Sequence, residues 1–419
     1  MNGIKMFKKF CTIKEFLGVK HFTSKEALDI YQKEKLEQRL LSHKSDFYPN
    51  SNNLEDFPII NKKIFMENFE TINTVKIKRE EAFEVALASE SSRNFSNKIG
   101  DISVGLSSGT SGSRGIFLVS EQESAKWAGY ILRRVLPKPW WKQHKIAFFL
   151  RANSNLYESV NSLLIKFKFY DLIEPIEEHI ERLNLQQPTL LIAPAQVLRL
   201  LSLSEKLDIN PRKIISVAEV LEEDDEALIS KRFSQKVHQI YQCTEGFLAH
   251  TCVEGNLHLN EDRVYIEKEF LDKEYTRFSP IITDFFRSSQ PVIRYKLDDI
   301  LVLEKEPCSC GSVFTRIKKI EGRCDDILKV KDINANPYNL FPDFIRRAII
   351  TASDSVKEYS VEHREDGLHI YLEPLEEQES VDVTLKKLYK DQGITPLKHF
   401  FHSYKKGKLT DKRRRVKQV

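Results

Sequence analysis

Between residues 145 and 241, short apolar runs alternate with amphipathic segments, and this alternation restricts the possible folds more than any other feature of the chain. Lys145–Leu150 (KIAFFL), Thr189–Ala193 (TLLIA), Lys213–Val217 (KIISV) and Val237–Tyr241 (VHQIY) read as strands, with helical Ala195–Leu207 and Glu222–Phe233 between them. Short, nearly unbroken apolar strands separated by helices are the pattern of a parallel sheet covered on both faces. The expected class is α/β. In such sheets ligands sit beyond the carboxyl ends of the strands. That rule marks Ala193–Pro194, Ala218–Glu219 and Gln242–Gly246 before any other consideration.

The flanking sequence differs in character. Residues 1–100 read as mostly helical and polar, with an apolar stripe beginning at Ala27, Leu28, Ile30 and Tyr31 within Ser24–His43. Residues 257–305 look antiparallel, with strands expected at Leu257–Leu259, Arg263–Glu267, Pro280–Asp284 and Pro291–Tyr295. After about residue 322, the strand Leu368–Leu372 and the helix Val383–Gln392 indicate a small α+β domain. A chain of 419 residues suits two domains, expected at 1–322 and 323–419. With 41% hydrophobic residues it can bury a large core without disulfides.

Other classes are excluded on similar grounds. No apolar run approaches the ~18–20 residues that span a bilayer. Met1–Gly18 has lysines spread among its apolar residues and lacks a secretory h-region with a cleavage site. Six cysteines in so long a chain make no disulfide framework, so a reducing, cytoplasmic setting is expected. A net charge of +4, from 65 basic and 61 acidic residues, is a solvated surface rather than a nucleic-acid footprint. The exception is Lys405–Val419, where eight cations face one acid, Asp411. A disordered basic tail is one reading of that segment.

Only 15 glycines occur, and five of them (Gly100, Gly105, Gly109, Gly112 and Gly115) fall in one short stretch. The segment Val104-Gly-Leu-Ser-Ser-Gly-Thr-Ser-Gly-Ser-Arg-Gly115 follows an expected strand, Ile102–Val104. Glycines let successive N–H groups form an anion nest. Ser107, Ser108, Thr110, Ser111 and Ser113 add hydroxyl donors, and Arg114 adds a cation. The combination suits a polyphosphate, although the Walker pattern is absent. Two other readings compete: a flexible linker, and a serine hydrolase, because Gly105-Leu-Ser107-Ser-Gly109 formally matches a nucleophile elbow.

Four ordered motifs carry a family resemblance. Ser107–Gly115 resembles the phosphate loop of adenylate-forming enzymes. Tyr241-Gln-Cys-Thr-Glu-Gly246 resembles their Tyr-x-x-Thr-Glu motif, Arg294-Tyr-Lys-Leu-Asp-Asp-Ile300 their Arg-Tyr-x-x-Gly-Asp motif, and Glu321-Gly-Arg-Cys-Asp-Asp-Ile-Leu-Lys329 the hinge between their domains. The chain looks most similar to the phenylacetate–CoA ligase and deazaflavin-adenylating synthetase branch. Within it, the chain resembles adenylate-forming enzymes associated with aryl-polyene and alkylresorcinol-type pathways.

The resemblance implies a large N-terminal domain of parallel and mixed sheets, which would bind ATP and the acid, and a small mobile C-terminal domain. It implies that an acid, expected to be aromatic, is converted by ATP to acyl-AMP and then passed to a thiol. The thiol would belong to CoA or to the phosphopantetheine of an acyl carrier protein; a homodimer is the other partner considered. Ser107, Ser108, Gly109, Thr110, Ser111, Gly112 and Arg114 would hold phosphates. Ala218 and Glu219 would flank the adenine, Tyr241 would stack near it, and Gln242 adjoins it. Thr244 would bind the α-phosphate, and Glu245 would hold Mg²⁺, a hard cation that takes one or two carboxylates plus phosphate oxygens. Asp299 and Arg323 would reach the ribose, and Asp325 would be the hinge. Lys412 is favoured as the catalytic lysine over Lys408. Phe149, Arg151, Asn153 and Tyr157 are expected near the acyl pocket.

Cys252, His258, Cys308 and Cys310 have a spacing that alone leaves zinc and buried free thiols both open. The same positions resemble the structural zinc site of the phenylacetate–CoA ligase branch, in a subregion around 250–312. Three thiolates and one imidazole would close the coordination shell. The alternatives within reach are adenylylation of a phenolic hydroxyl, a hydrolase using Ser107, and a non-catalytic nucleotide-binding protein.

Overall fold

The computed structural model describes residues 2–107, 114–150, 161–162, 164–409 and 413–419. The chain forms two compact units, Met1–Leu297 with Val302–Lys319, and Asp298–Leu301 with Ile320–Val419. The first is built on five parallel strands. In spatial order these are Ile165–Asp171, His144–Leu150, Leu190–Ala193, Lys213–Ser216 and Val237–Gln242. Phe247–Thr251 and Leu257–Leu259 extend the sheet antiparallel.

The apolar alternation reads directly as two buried faces. Ala147, Phe149, Leu191, Ala193, Ile214 and Val237 face one cluster with Leu183, Leu198, Leu201 and Phe233 of the helices Ile176–Gln186, Ala195–Leu203 and Glu223–Phe233. Ile146, Phe148, Leu190, Ile192, Ile215 and Ile240 face a second cluster with Ala128, Leu132 and Val135 of the helix Glu121–Val135. Because both faces are dry, neither can alternate with polar residues.

Ile165–Asp171 (IKFKFYD) was not anticipated. It is an edge strand whose lysines point outward while Ile165, Phe167 and Phe169 pack inward, so its run is broken by charge. Pro291–Tyr295 is not a strand through its length; pairing is confined to Tyr295–Lys296. Arg294 has φ 46°, which breaks the extended run. Its guanidinium binds Glu267 at 2.7 Å and 3.1 Å.

The second unit has a four-stranded sheet in the order His399–Ser403, Gly367–Glu373, Glu358–Arg364, Val416–Gln418. Pro342–Ile350 and Gln378–Gln392 cover it through Ile345, Ile349, Val381, Leu385 and Tyr389. The basic segment is not a free tail in its described part. Val416–Gln418 adds to Glu358–Arg364 as a parallel strand. Arg413 pairs with Glu358, Arg414 with Asp326, and Lys417 with Glu362 at 2.8 Å. The cations are therefore fixed by acids of their own unit.

The helices Asn2–Leu17 and Glu121–Val135 approach closely at Gly129. A Cβ there would fall 2.8 Å from Glu15 Cβ and 3.0 Å from Phe16 N, and would overlap Thr12 O. Backbone cannot give way as a flexible side chain can. Gly129→Val should lower stability by about 1–3 kcal/mol, read as a lower urea midpoint. An unchanged midpoint would mean that the two helices do not pack at this position.

Candidate functional site

The hydroxyl-rich segment closes a hairpin. Ile102–Leu106 pairs antiparallel with Ile116–Ser120, and the loop between them is pinned at its base. Ser107 N donates to Gly115 O at 2.8 Å, and Gly115 N donates to Ser107 Oγ at 2.7 Å. A nucleophile elbow needs a strand that enters a helix. Here a strand returns to a strand and the Ser107 hydroxyl accepts a backbone amide, so the hydrolase reading fails. Gly105 has a packing role: the Phe117 ring covers the space a Cβ would occupy. Arg114 is engaged with Glu90 in two hydrogen bonds, and its Nε donates to Ser107 O at 3.2 Å. As the structure stands, its charge is matched by Glu90.

The parallel strands bring their carboxyl ends to one end of the sheet. Ala218 lies there with φ 66°, a left-handed conformation unusual for a residue with a Cβ. Val217 turns into the core. Glu219 Oε2 accepts from Gln196 N at 3.1 Å. It thus caps the helix Ala195–Leu203, whose N-cap is Pro194 and offers no side-chain acceptor. Tyr241 is buried in its strand and Gln242 half-buried at its end. The turn Cys243–Gly246 links two antiparallel strands, with Cys243 N on Gly246 O at 3.0 Å. In it the Thr244 hydroxyl donates to Glu245 Oε2 at 2.8 Å.

A narrow cleft joins the hairpin to this turn; Lys62, Gly115, Thr244, Glu245, Arg287 and Gln290 line it. Three of these residues, Lys62, Arg287 and Gln290, were missed from sequence. Lys62 lies against Gly115, where a Cβ would sit 3.2 Å from Lys62 Cε. Arg287 donates from Nη1 to Thr244 O at 2.6 Å, and from Nη2 to Leu118 O and Gln290 Oε1, both at 3.2 Å. Gln290 accepts from Leu118 N at 3.0 Å and donates to Ile116 O at 3.2 Å. Asp284 Oδ1 fixes the segment by accepting from Phe286 N at 2.7 Å and Arg287 N at 2.9 Å. Burial pushes the Asp284 carboxyl up, against the pull of these amides and of Arg287. Nothing in the spacing of Asp284-Phe-Phe-Arg-Ser-Ser-Gln290 announces this clamp.

In the second unit, Arg323 donates to Asp298 at 3.0 Å and sits in the field of Asp299, Asp298, Asp325 and Asp326. Burial alone would lower its pKa; these acids outweigh that and raise it. Asp298 is thus a partner of Arg323. Asp299 opens the strand Asp299–Leu303, and Asp325 is exposed.

Phe149 is not a pocket residue. It is fully buried, with its ring stacked on Tyr170 at 4.7 Å and edge-on to His179 at 5.3 Å. Strand alternation turns it into the helix layer with Ala147. Ser108, Gly109, Thr110, Ser111, Gly112, Arg151, Asn153, Tyr157 and Lys412 lie outside the described residues.

Cys252, His258, Cys308 and Cys310 converge, with all four ligand atoms within 4.8 Å of one another. Cys252 and Cys308 sulfurs are 3.8 Å apart, and Cys310 Sγ is 3.5 Å from His258 Nε2. His258 Nδ1 lies 3.1 Å from Phe314 O. A ring N–H on that carbonyl leaves the Nε2 lone pair facing the sulfurs, the arrangement of metal-binding histidines. Leu257 and His258 pair with Ile317 and Arg316, which carries the histidine to the cysteine turn.

Comparison with known proteins follows the same lines. No protein-family model matches the chain. The phenylacetate-coenzyme A ligase of Thermus thermophilus is 26% identical over 87 residues, covering 21% of this chain and 18% of that protein. Protein CapK of Staphylococcus aureus is 29% identical over 208 residues, covering 48% and 44%. The matched stretches thus span less than half the length of either curated relative. Among solved structures, a 2-hydroxyisobutyryl-CoA ligase in the postadenylation state, complexed with an acyl-AMP, superimposes with TM-score 0.68. It has 15% identity and covers 94% of this chain and 89% of that one. The fold is that of adenylate-forming ligases, and the resemblance to the phenylacetate–CoA ligase branch stands.

Replacing Arg287 by Ala should leave the Thr244 and Leu118 carbonyls unpaired. Amide exchange in 116–119 and 244–246 should then accelerate by about tenfold or more, the equivalent of one lost charge-assisted bond. Arg287→Lys should recover part of the protection. Unaltered exchange in both segments would show that Arg287 does not join them.

Proposed function

We propose that this protein uses ATP to activate a carboxylic acid, an aromatic one in the first instance, as acyl-AMP. The observation that carries the reading is the meeting, in one cleft, of the base of the hydroxyl-rich hairpin with Thr244 and Glu245. In the first step an acid oxygen attacks the α-phosphorus of ATP, the bond to the β-phosphate breaks, and pyrophosphate leaves. The amides and hydroxyls of Ser107–Ser113 hold the outer phosphates. The Thr244 hydroxyl turns from Glu245 to the α-phosphate. The half-buried Glu245 carboxylate, with phosphate oxygens, fits a Mg²⁺ ion, which supplies charge neutralisation when bound. Lys412 stabilises the charge that builds on the α-phosphate. Asp299 and Arg323 hold the ribose, and Asp325 is the pivot. In the second step a thiol, that of CoA or of a carrier's phosphopantetheine, attacks the acyl carbon, loses its proton and releases AMP. The relatives named ligases of CoA favour CoA itself.

Cys252, His258, Cys308 and Cys310 would hold Zn²⁺ in a closed shell that ties the strand Leu257–Leu259 to the turn at 308–311. Its contribution is structural, because no ligand position is left for a reacting group.

ATP–pyrophosphate exchange with a panel of acids tests the activity. Exchange should require an added aromatic acid, and Glu245→Gln should lower it by about 10²–10³-fold. Lys412→Ala should abolish acyl-AMP formation while ATP still binds; loss on Lys408→Ala instead would move the role to Lys408. Absence of exchange across acids and phenols would overturn the reading. For the metal, native mass spectrometry should show one zinc per chain, and Cys308→Ser should lose it together with thermal stability. A metal-loaded, equally stable Cys308→Ser protein would reject this ligand set.

A further inference from the structure

The helix Asn2–Leu17 buries one side and leaves the other bare. Phe16 joins the core cluster, and the backbone around Thr12 and Glu15 rests on Gly129. The opposite side exposes Phe7 (57%), Phe10 (63%), Ile13 (59%) and Leu17 (74%). These recur every three or four residues, so they form one stripe about 15 Å long. Charge on this helix is divided by side. Its only acid, Glu15, is turned inward to Arg263. Among the described side chains of the helix, the exposed ionic residues are Lys9 and Lys14, one on either flank of the stripe. Beside the last turn lies the loop Lys138-Pro-Trp-Trp-Lys142. Trp140 packs edge-on against Phe16 at 5.7 Å, and the next residue, Trp141, is 74% exposed between exposed Lys138 and Lys142.

We propose that this face docks flat on an anionic phospholipid bilayer. The apolar stripe would sink to the headgroup–acyl boundary, the lysines would stay among the phosphates, and the Trp141 indole would lie at the interface. No helix of the described residues is long and apolar enough to cross a membrane, so the docking is peripheral. A second copy of the chain fits less well. A two-fold interface sets identical patches against each other, and here it would bring lysines against lysines with no outward acid on the helix to match them.

The proposal is independent of the adenylation reading, and its test involves no nucleotide. The full chain should float with phosphatidylcholine vesicles containing one-third phosphatidylglycerol, and far less with phosphatidylcholine alone. Added salt should weaken the association. Phe10→Ser with Ile13→Ser should reduce binding by about tenfold or more. Lys9→Gln and Lys14→Gln should each cost about fivefold at low salt. Both pairs lie on exposed positions, so circular dichroism and the thermal midpoint should match the parent protein. Failure to float, equal binding to neutral vesicles, or a solution dimer that the serine variant converts to monomer would overturn the proposal.

Discussion

The strand Ile116–Ser120 has a pairing partner on one side only, and the backbone groups of its other edge must be satisfied where no strand is available. The side chains of Arg287 and Gln290 do this. Gln290 reads Ile116 O and Leu118 N as a neighbouring strand would, and Arg287 takes Leu118 O. Because the same guanidinium also binds Thr244 O, satisfying a sheet edge fixes the distance from the hairpin to the Thr244–Glu245 turn. A planar, multi-donor group can serve several carbonyls at once in a way that a lysine cannot. The cleft between hairpin and turn depends on this one side chain being held, and Asp284 fixes the backbone that carries it.

The parallel sheet supplies the other half of the arrangement. Its register sets Ala193, Ser216 and Gln242 at one end, so the loops after them share a surface. Glu219 then takes on a task visible only in three dimensions. It caps a helix whose own N-cap is a proline, and that contact orients the loop in which Ala218 is held left-handed. Acids and cations elsewhere behave alike: Arg114 with Glu90, Arg323 with Asp298 and Arg414 with Asp326 are each neutralised within their own unit.

Two groups of residues show how different signals survive in a sequence. The cysteine and histidine positions are far apart in the chain, yet they converge, because an antiparallel ladder carries His258 to the turn at 308–311. Residue type made them visible before their spacing did. The lipid-facing character of the first helix shows the opposite. Its apolar residues are plain in the sequence, but a helix with apolar residues on most sides gives no sign of which side faces the core. The packing of Thr12 and Glu15 on Gly129 decides that.

The sequence by itself determined the α/β class, four of the five parallel strands, the glycine-rich loop and the Thr-Glu motif after the last of them. These depend on local period, apolar runs and short motifs, which act over a few residues. Only the tertiary structure decided that Phe149 belongs to the core, that Pro291–Tyr295 breaks at Arg294, that Ser107 secures a hairpin, and that Arg287 and Lys62 line the cleft. Each of these depends on which face of an element is covered and by what. Such facts are set by contacts between segments tens to hundreds of residues apart, and no local pattern encodes them.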